Sequence, residues 1–176
     1  MREILKKLAG GDRRSIGRAN EVVGDVLDDP TLFDALFSGM LGDDPLIRMR
    51  AADAVEKVTA RRPDYLQPFK QKLLRQVAGS RQPEVRWHVA QMLPRLALRR
   101  PELDAAVETL LDYLADESSI VKTFAMQALA DFAEREAFLR ERVVKVLERC
   151  TRAGSPAMKS RGRKLLKSLQ DAQAKS

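Results

Sequence analysis

The chain has 176 residues, 44% hydrophobic and 32% charged, which suits one domain with a sizeable core and excludes global disorder. Aromatic residues make up 5% and long β-branched runs are absent, which argues against a large sheet. One cysteine, Cys150, rules out a disulfide within the chain, and with His88 as the sole histidine no set of zinc ligands is left.

No apolar run approaches the roughly 18 residues of a membrane span. The start, "MREILKKLAGG", lacks the apolar stretch of a secretory signal, so a cytoplasmic protein is expected. The net charge of +7 is unevenly spread: residues 1–42 carry −1, 43–100 carry +7, 101–150 carry −5 and 151–176 carry +6. Basic stretches attract nucleic acid or acidic protein surfaces, but the acidic segment interrupts any continuous phosphate-binding stripe.

In chain order, "REILKKLA" and "RRSIGRANEVVGDVL" predict short helices that cap the fold. An amphipathic helix is predicted over 31–41. Next comes "PLIRMRAADAVEKV" from Pro45, whose apolar residues recur at helical spacing, with Asp44 as cap and proline at the first helical position. A second short helix is predicted over 64–78. "PEVRWHVAQMLPRL" then starts at Pro83 after Gln82, a poorer cap, and Pro94 inside it should bend it. A helix over 102–115 leads to "SIVKTFAMQALADF" from Ser119, capped by Ser118. A helix over 137–151, ending at Cys150 and Thr151, leads to "PAMKSRGRKLLKSL" from Pro156, with Ser155 as cap.

The four longer stretches superimpose, with starts 38, 36 and 37 residues apart. Their apolar columns agree: Ile47, Val85, Val121 and Met158; Val55, Leu93, Leu129 and Leu166; Val58, Leu96, Phe132 and Leu169. At Ala51, Val89, Ala125 and Gly162 a small residue or valine would let a neighbouring helix approach. The phrase Arg-Arg-Pro-acid is written twice, at Arg61–Asp64 and Arg99–Glu102. Cations suit the end of one helix, proline stops it, and the acid favours the start of the next. The third occurrence, "REAFL" at 135–139, has lost the proline.

A two-helix unit of about 37 residues joined by short turns predicts an all-α right-handed α-solenoid of about five antiparallel pairs, the first degenerate. The expected boundaries are a capping unit over 1–29, repeats over 30–62, 63–100, 101–135 and 136–170, and a frayed tail over 171–176, all in one domain. With Asp43-Asp44-Pro45 before Ile47-Arg48 and Ala51-Ala52, and with Val85-Arg86 and Val121-Lys122, the chain resembles the HEAT-repeat family. The resemblance implies that the second helix of each pair lines a concave binding surface. It also implies that an Asp in the preceding turn pairs with the following cation, so Asp43 or Asp44 would pair with Arg48 and Asp116 with Lys122. Some HEAT-like proteins are glycosylases for alkylated bases, but Gln91 stands where an acid would follow Trp87, and a second tryptophan is missing. HEAT-like bilin lyases have shorter repeats and a chromophore-handling cysteine site that is not visible here.

On that surface, rotation by 100° per residue places Met49, Asp53, Glu56 and Ala60 opposite the apolar columns of the first long helix. Trp87, Gln91, Pro94 and Leu98 follow, then Thr123, Gln127, Ala130 and Glu134, then Ser160, Lys164 and Lys167. Met49, Asp53, Trp87, Gln91, Arg95, Leu98 and Gln127 form the candidate protein-binding set. Trp87 reads as an anchor for a partner protein, as a stacking platform for a base, or as packing between adjacent second helices. Arg48, Arg50, Arg86, Lys159, Arg161 and Lys164 form the candidate phosphate-binding set, with internal pairing of the column as the alternative. His88 reads as structural and Cys150 as an inert, semi-buried thiol. No catalytic residue, metal site or cofactor is expected. The expected function is a non-catalytic binding scaffold for a protein partner, with nucleic-acid binding as the alternative.

Overall fold

The computed structural model describes residues 3–12 and 15–174. Among them there is no strand. The α-helices are α1 (Glu3–Lys6), α2 (Ala19–Asp28), α3 (Phe33–Gly39), α4 (Pro45–Arg61), α5 (Lys70–Lys72), α6 (Pro83–Met92), α7 (Arg100–Tyr113), α8 (Ser119–Arg135), α9 (Arg140–Ala153) and α10 (Pro156–Ala174). The residues group into two compact units, Met1–Glu102 and Leu103–Ser176.

The four long repeat helices start at Pro45, Pro83, Ser119 and Pro156, where the pattern places them. Asp44 caps α4 by accepting from the amides of Leu46 at 2.8 Å and Ile47 at 3.4 Å. Ser118 and Ser155 accept at 3.4 Å from Val121 N and Met158 N. The Gln82 side chain makes no cap bond. These caps satisfy amides that the first helical turn leaves without partners.

The two Arg-Arg-Pro-acid phrases behave differently. In the first, Arg62 grips Asp64 through two nitrogens and lies 4.4 Å over the Tyr65 ring. In the second, Glu102 accepts from Arg99 N and Lys70 Nζ, both at 2.8 Å, and these donors hold its carboxyl down at about 2.

Four predicted elements need correction. The helix over 31–41 is a 3₁₀ turn, Pro30–Leu32, followed by the shorter α3. The stretch over 64–78 is not one amphipathic α-helix. It runs as a 3₁₀ segment (Pro63–Phe69), one α-turn (α5) and a π-helical stretch (Leu73–Val77). Pro68 sits inside the 3₁₀ segment and has no amide for an α-helical bond. Pro94 ends α6 rather than bending it: α6 stops at Met92 and Leu93–Arg95 is 3₁₀, so Leu98 lies beyond the helix. The helix over 137–151 opens with a 3₁₀ turn, Ala137–Leu139, before α9.

In the first unit α4 packs against α2, α3 and α6. Val55, Val58, Val85, Val89 and Leu93 are buried there, beside an aromatic cluster of Phe33, Phe37, Tyr65 and Phe69. In the second unit α10 packs against both α8 and α9 around Val121, Ala125, Leu129, Phe132 and Leu147. The predicted columns are buried throughout except in α10. There Leu165 takes the buried place and Leu166 is half exposed. Gly162 lets α9 come close, since a Cβ there would overlap the Thr151 side chain.

Candidate functional site

Met49 lies four residues into α4 and Trp87 four residues into α6, so the repeat sets them at equivalent places on two packed helices. Together with Asp53, Glu84 and His88 from these helices, and Ser15 and Ile16 before α2, they line a groove of about 350 Å³. Trp87 and Met49 are half buried, and Ile16 is 43% exposed. Three apolar side chains thus stand beside the Glu84 carboxylate, with which no described cation pairs. Asp53, in contrast, is taken by Lys57 Nζ at 2.7 Å.

Arg50 forms the floor. Its expected place on an outward basic face is corrected: the side chain is only 2% exposed and turns inward. Its guanidinium donates to the carbonyls of Leu8 (2.8 Å), Gly10 (2.6 Å), Asp12 (2.9 Å) and Ser15 (3.0 Å). Planar, fixed donors suit this role, because they can serve several acceptors in one plane. Gly10, Gly11 and Gly17 have positive φ, and a Cβ on Gly17 would lie 2.8 Å from the Arg50 guanidinium carbon. Arg50 therefore holds the segment that carries Ser15 and Ile16 to the groove.

His88 closes the inner wall. Its Nε2 is 4.0 Å from Asp53 Oδ1, and its Nδ1 is buried without a partner. Burial pushes its pKa below the usual histidine value; Asp53 and Glu56 oppose the shift, while Lys57 and Arg95 add to it. Ser15 Oγ accepts from Gly17 N at 3.0 Å, so the groove contains no nucleophile hydrogen-bonded to the imidazole Nδ1.

Gln91, Arg95 and Leu98 do not line this groove. Gln91 donates to Trp87 O within its own helix. Arg95 reaches back to Thr59 Oγ1 and to both the carbonyl and carboxylate of Glu56, tying the end of α6 to α4. Leu98 is half buried outside any helix. Gln127 belongs to the second unit, where it accepts from Arg161 and donates to Asp131.

Among the described residues, the expected pairs of Asp43 or Asp44 with Arg48 and of Asp116 with Lys122 do not form. Arg48 donates to the carbonyls of Gly42 and Asp43 and to the Gln82 side chain, while Asp44 is occupied as the cap. Arg86 donates to Ser80 O at 2.6 Å. Asp116 accepts from Ser118 N, and no described carboxylate pairs with Lys122. On α10 the candidates separate. Arg161 is half buried on Gln127, whereas Lys159 and Lys164 are exposed, as are Arg163 and Lys167. At 100° per residue these four exposed cations fall on the side of α10 away from Met158, Leu165 and Leu169.

Ile16, Glu84 and Arg163 escaped the sequence reading. Ile16 lies in the degenerate first stretch, outside the four superimposed repeat helices, and Glu84 was not singled out. Among the described residues no three metal-ligating side chains converge, and no helix is long and apolar enough to cross a membrane. Comparison with protein-family models, curated proteins and solved structures gives no match.

Proposed function

We propose that the chain is a HEAT-like α-solenoid of antiparallel helix pairs. In this reading it is a non-catalytic scaffold whose Trp87 groove takes a protein segment with an apolar side chain next to a lysine or arginine. The repeat reading is supported by contacts that recur at matching places. Gln82 Nε2 donates to Pro45 O, and Ser155 meets Ser119, each linking the start of one repeat helix to the start of the next. His88 approaches Asp53 and Arg161 donates to Gln127, again at equivalent positions.

The observation that carries the binding role is the set of Ile16, Met49 and Trp87 around the unpaired Glu84. A partner residue entering there would bury apolar area beside a half-buried carboxylate, which favours a cation and disfavours an acid. The test is selection of peptides from a random display library on the intact protein. Enrichment of an apolar residue beside Lys or Arg supports the reading, and enrichment of acidic peptides counts against it.

A second reading is favoured by a separate observation, the exposed row of Lys159, Arg163, Lys164 and Lys167 on α10. Such a row suits phosphate contacts. It is tested by fluorescence anisotropy of short DNA and RNA across a salt series. Four duplex phosphate contacts predict a log–log slope of roughly −3.6. A flat response would remove this reading and leave the groove untouched.

A further inference from the structure

The second unit contains a larger groove, about 670 Å³, between the ends of α7 and α9 and the starts of α8 and α10. Leu111, Leu114, Val146 and Met158 make its apolar wall. Lys122 and Arg149 enter from α8 and α9, and both charges act on Cys150, which shares the lining. Glu117 also lines it, leaving an excess of one positive charge.

The repeat explains why the space is open. Arg48 and Arg86 occupy the register of Lys122, and each folds back onto carbonyls of its own preceding turn. A lysine lacks the planar fork that serves several carbonyls together. Lys122 makes no such bond; it lines the groove beside the apolar wall, and no described residue pairs with it. An apolar wall with two cations and one carboxylate complements a ligand with a hydrocarbon body and one anionic head.

We propose that this groove binds a small amphipathic anion, a single hydrocarbon chain ending in an anionic group, with Lys122 and Arg149 on the head and Leu111, Leu114, Val146 and Met158 along the chain. The inference is independent of the Trp87 groove, because it uses residues of the second unit alone.

The test uses the intact chain and four probes, dodecanoate, dodecyl phosphate and dodecyltrimethylammonium below their micelle concentrations and dodecanol below its solubility limit. Calorimetry gives affinity. Alkylation of Cys150, the chain's one thiol, by iodoacetamide followed by mass spectrometry gives the location. Both anions are expected to bind at least about tenfold more tightly than the alcohol or the cation and to slow Cys150 alkylation. Preference for dodecanoate over dodecyl phosphate, or the reverse, identifies the head group. In Lys122→Met and Arg149→Met the anion preference should shrink while dodecanol binding persists. Equal binding of dodecanol, no binding by either anion, or anion binding without protection of Cys150 would each overturn the proposal.

Discussion

Arg161 Nη1 donates to Gln127 Oε1 at 2.6 Å, joining α10 to α8 across 34 positions of sequence. His88 stands in the same relation to Asp53 in the first unit, 4.0 Å away. One register contact thus has two chemistries, a charged hydrogen bond in one unit and a buried imidazole beside a carboxylate in the other.

The α10–α8 contact should show as a coupling energy. A cycle of Arg161→Ala, Gln127→Ala and the double variant, followed by urea unfolding, is expected to give about 0.5–1.5 kcal/mol. Additive single losses would mean that the bond contributes nothing to stability.

His88 makes stability pH-dependent. Burial lowers its folded pKa below the ordinary histidine value of 6.5, so the unfolded chain binds the proton more readily. Its contribution is fully present above pH 6.5 and is lost as the pH falls toward the folded value. One proton limits the slope to about 1.4 kcal/mol per pH unit. Urea midpoints measured downward from neutral pH should fall for the wild type and stay flatter for His88→Leu. Parallel curves for both proteins would count against this assignment.

Arg50→Met removes the donors that four carbonyls share. The expected loss is about 2–4 kcal/mol in urea unfolding, with faster amide exchange over residues 8–12 and 15–17. Arg50→Lys should also destabilise, since one ammonium cannot replace a planar fork. Unchanged exchange in both variants would show that the segment is held by other contacts.

Two glycines should respond with opposite signs. Gly162→Ala forces its Cβ onto Thr151 and is expected to cost about 1–3 kcal/mol, much of it recovered in the double variant with Thr151→Ala. Gly24, inside α2, has open space around its Cβ position, so Gly24→Ala should gain about 0.5–1 kcal/mol. Thermal melts of the four proteins check both signs.

The starts of α4, α6, α8 and α10 were legible in the sequence because prolines and capping side chains act locally. The apolar columns were legible because a helical period reports one buried face. Arg50 was not legible. It lies on the flank of that face, and only the fold of the segment around Gly10 and Gly17 turns it inward. Arg95 misled for a related reason: it was counted in the candidate binding set, but the 3₁₀ turn at Pro94 brings it back to Glu56. Met49, Asp53 and Trp87 were legible as neighbours because the repeat repeats their register. Ile16 was not, since no period governs a loop.

The binding role assigned to the Trp87 groove is tested most directly by fluorescence anisotropy of one labelled apolar-basic peptide from the display selection, titrated with wild type, Trp87→Ala and Glu84→Gln, each first shown to be folded by circular dichroism. Trp87→Ala is expected to weaken binding by at least about tenfold. Glu84→Gln should weaken it several-fold at low salt and reduce its salt dependence. Equal affinity for all three proteins would contradict the assignment.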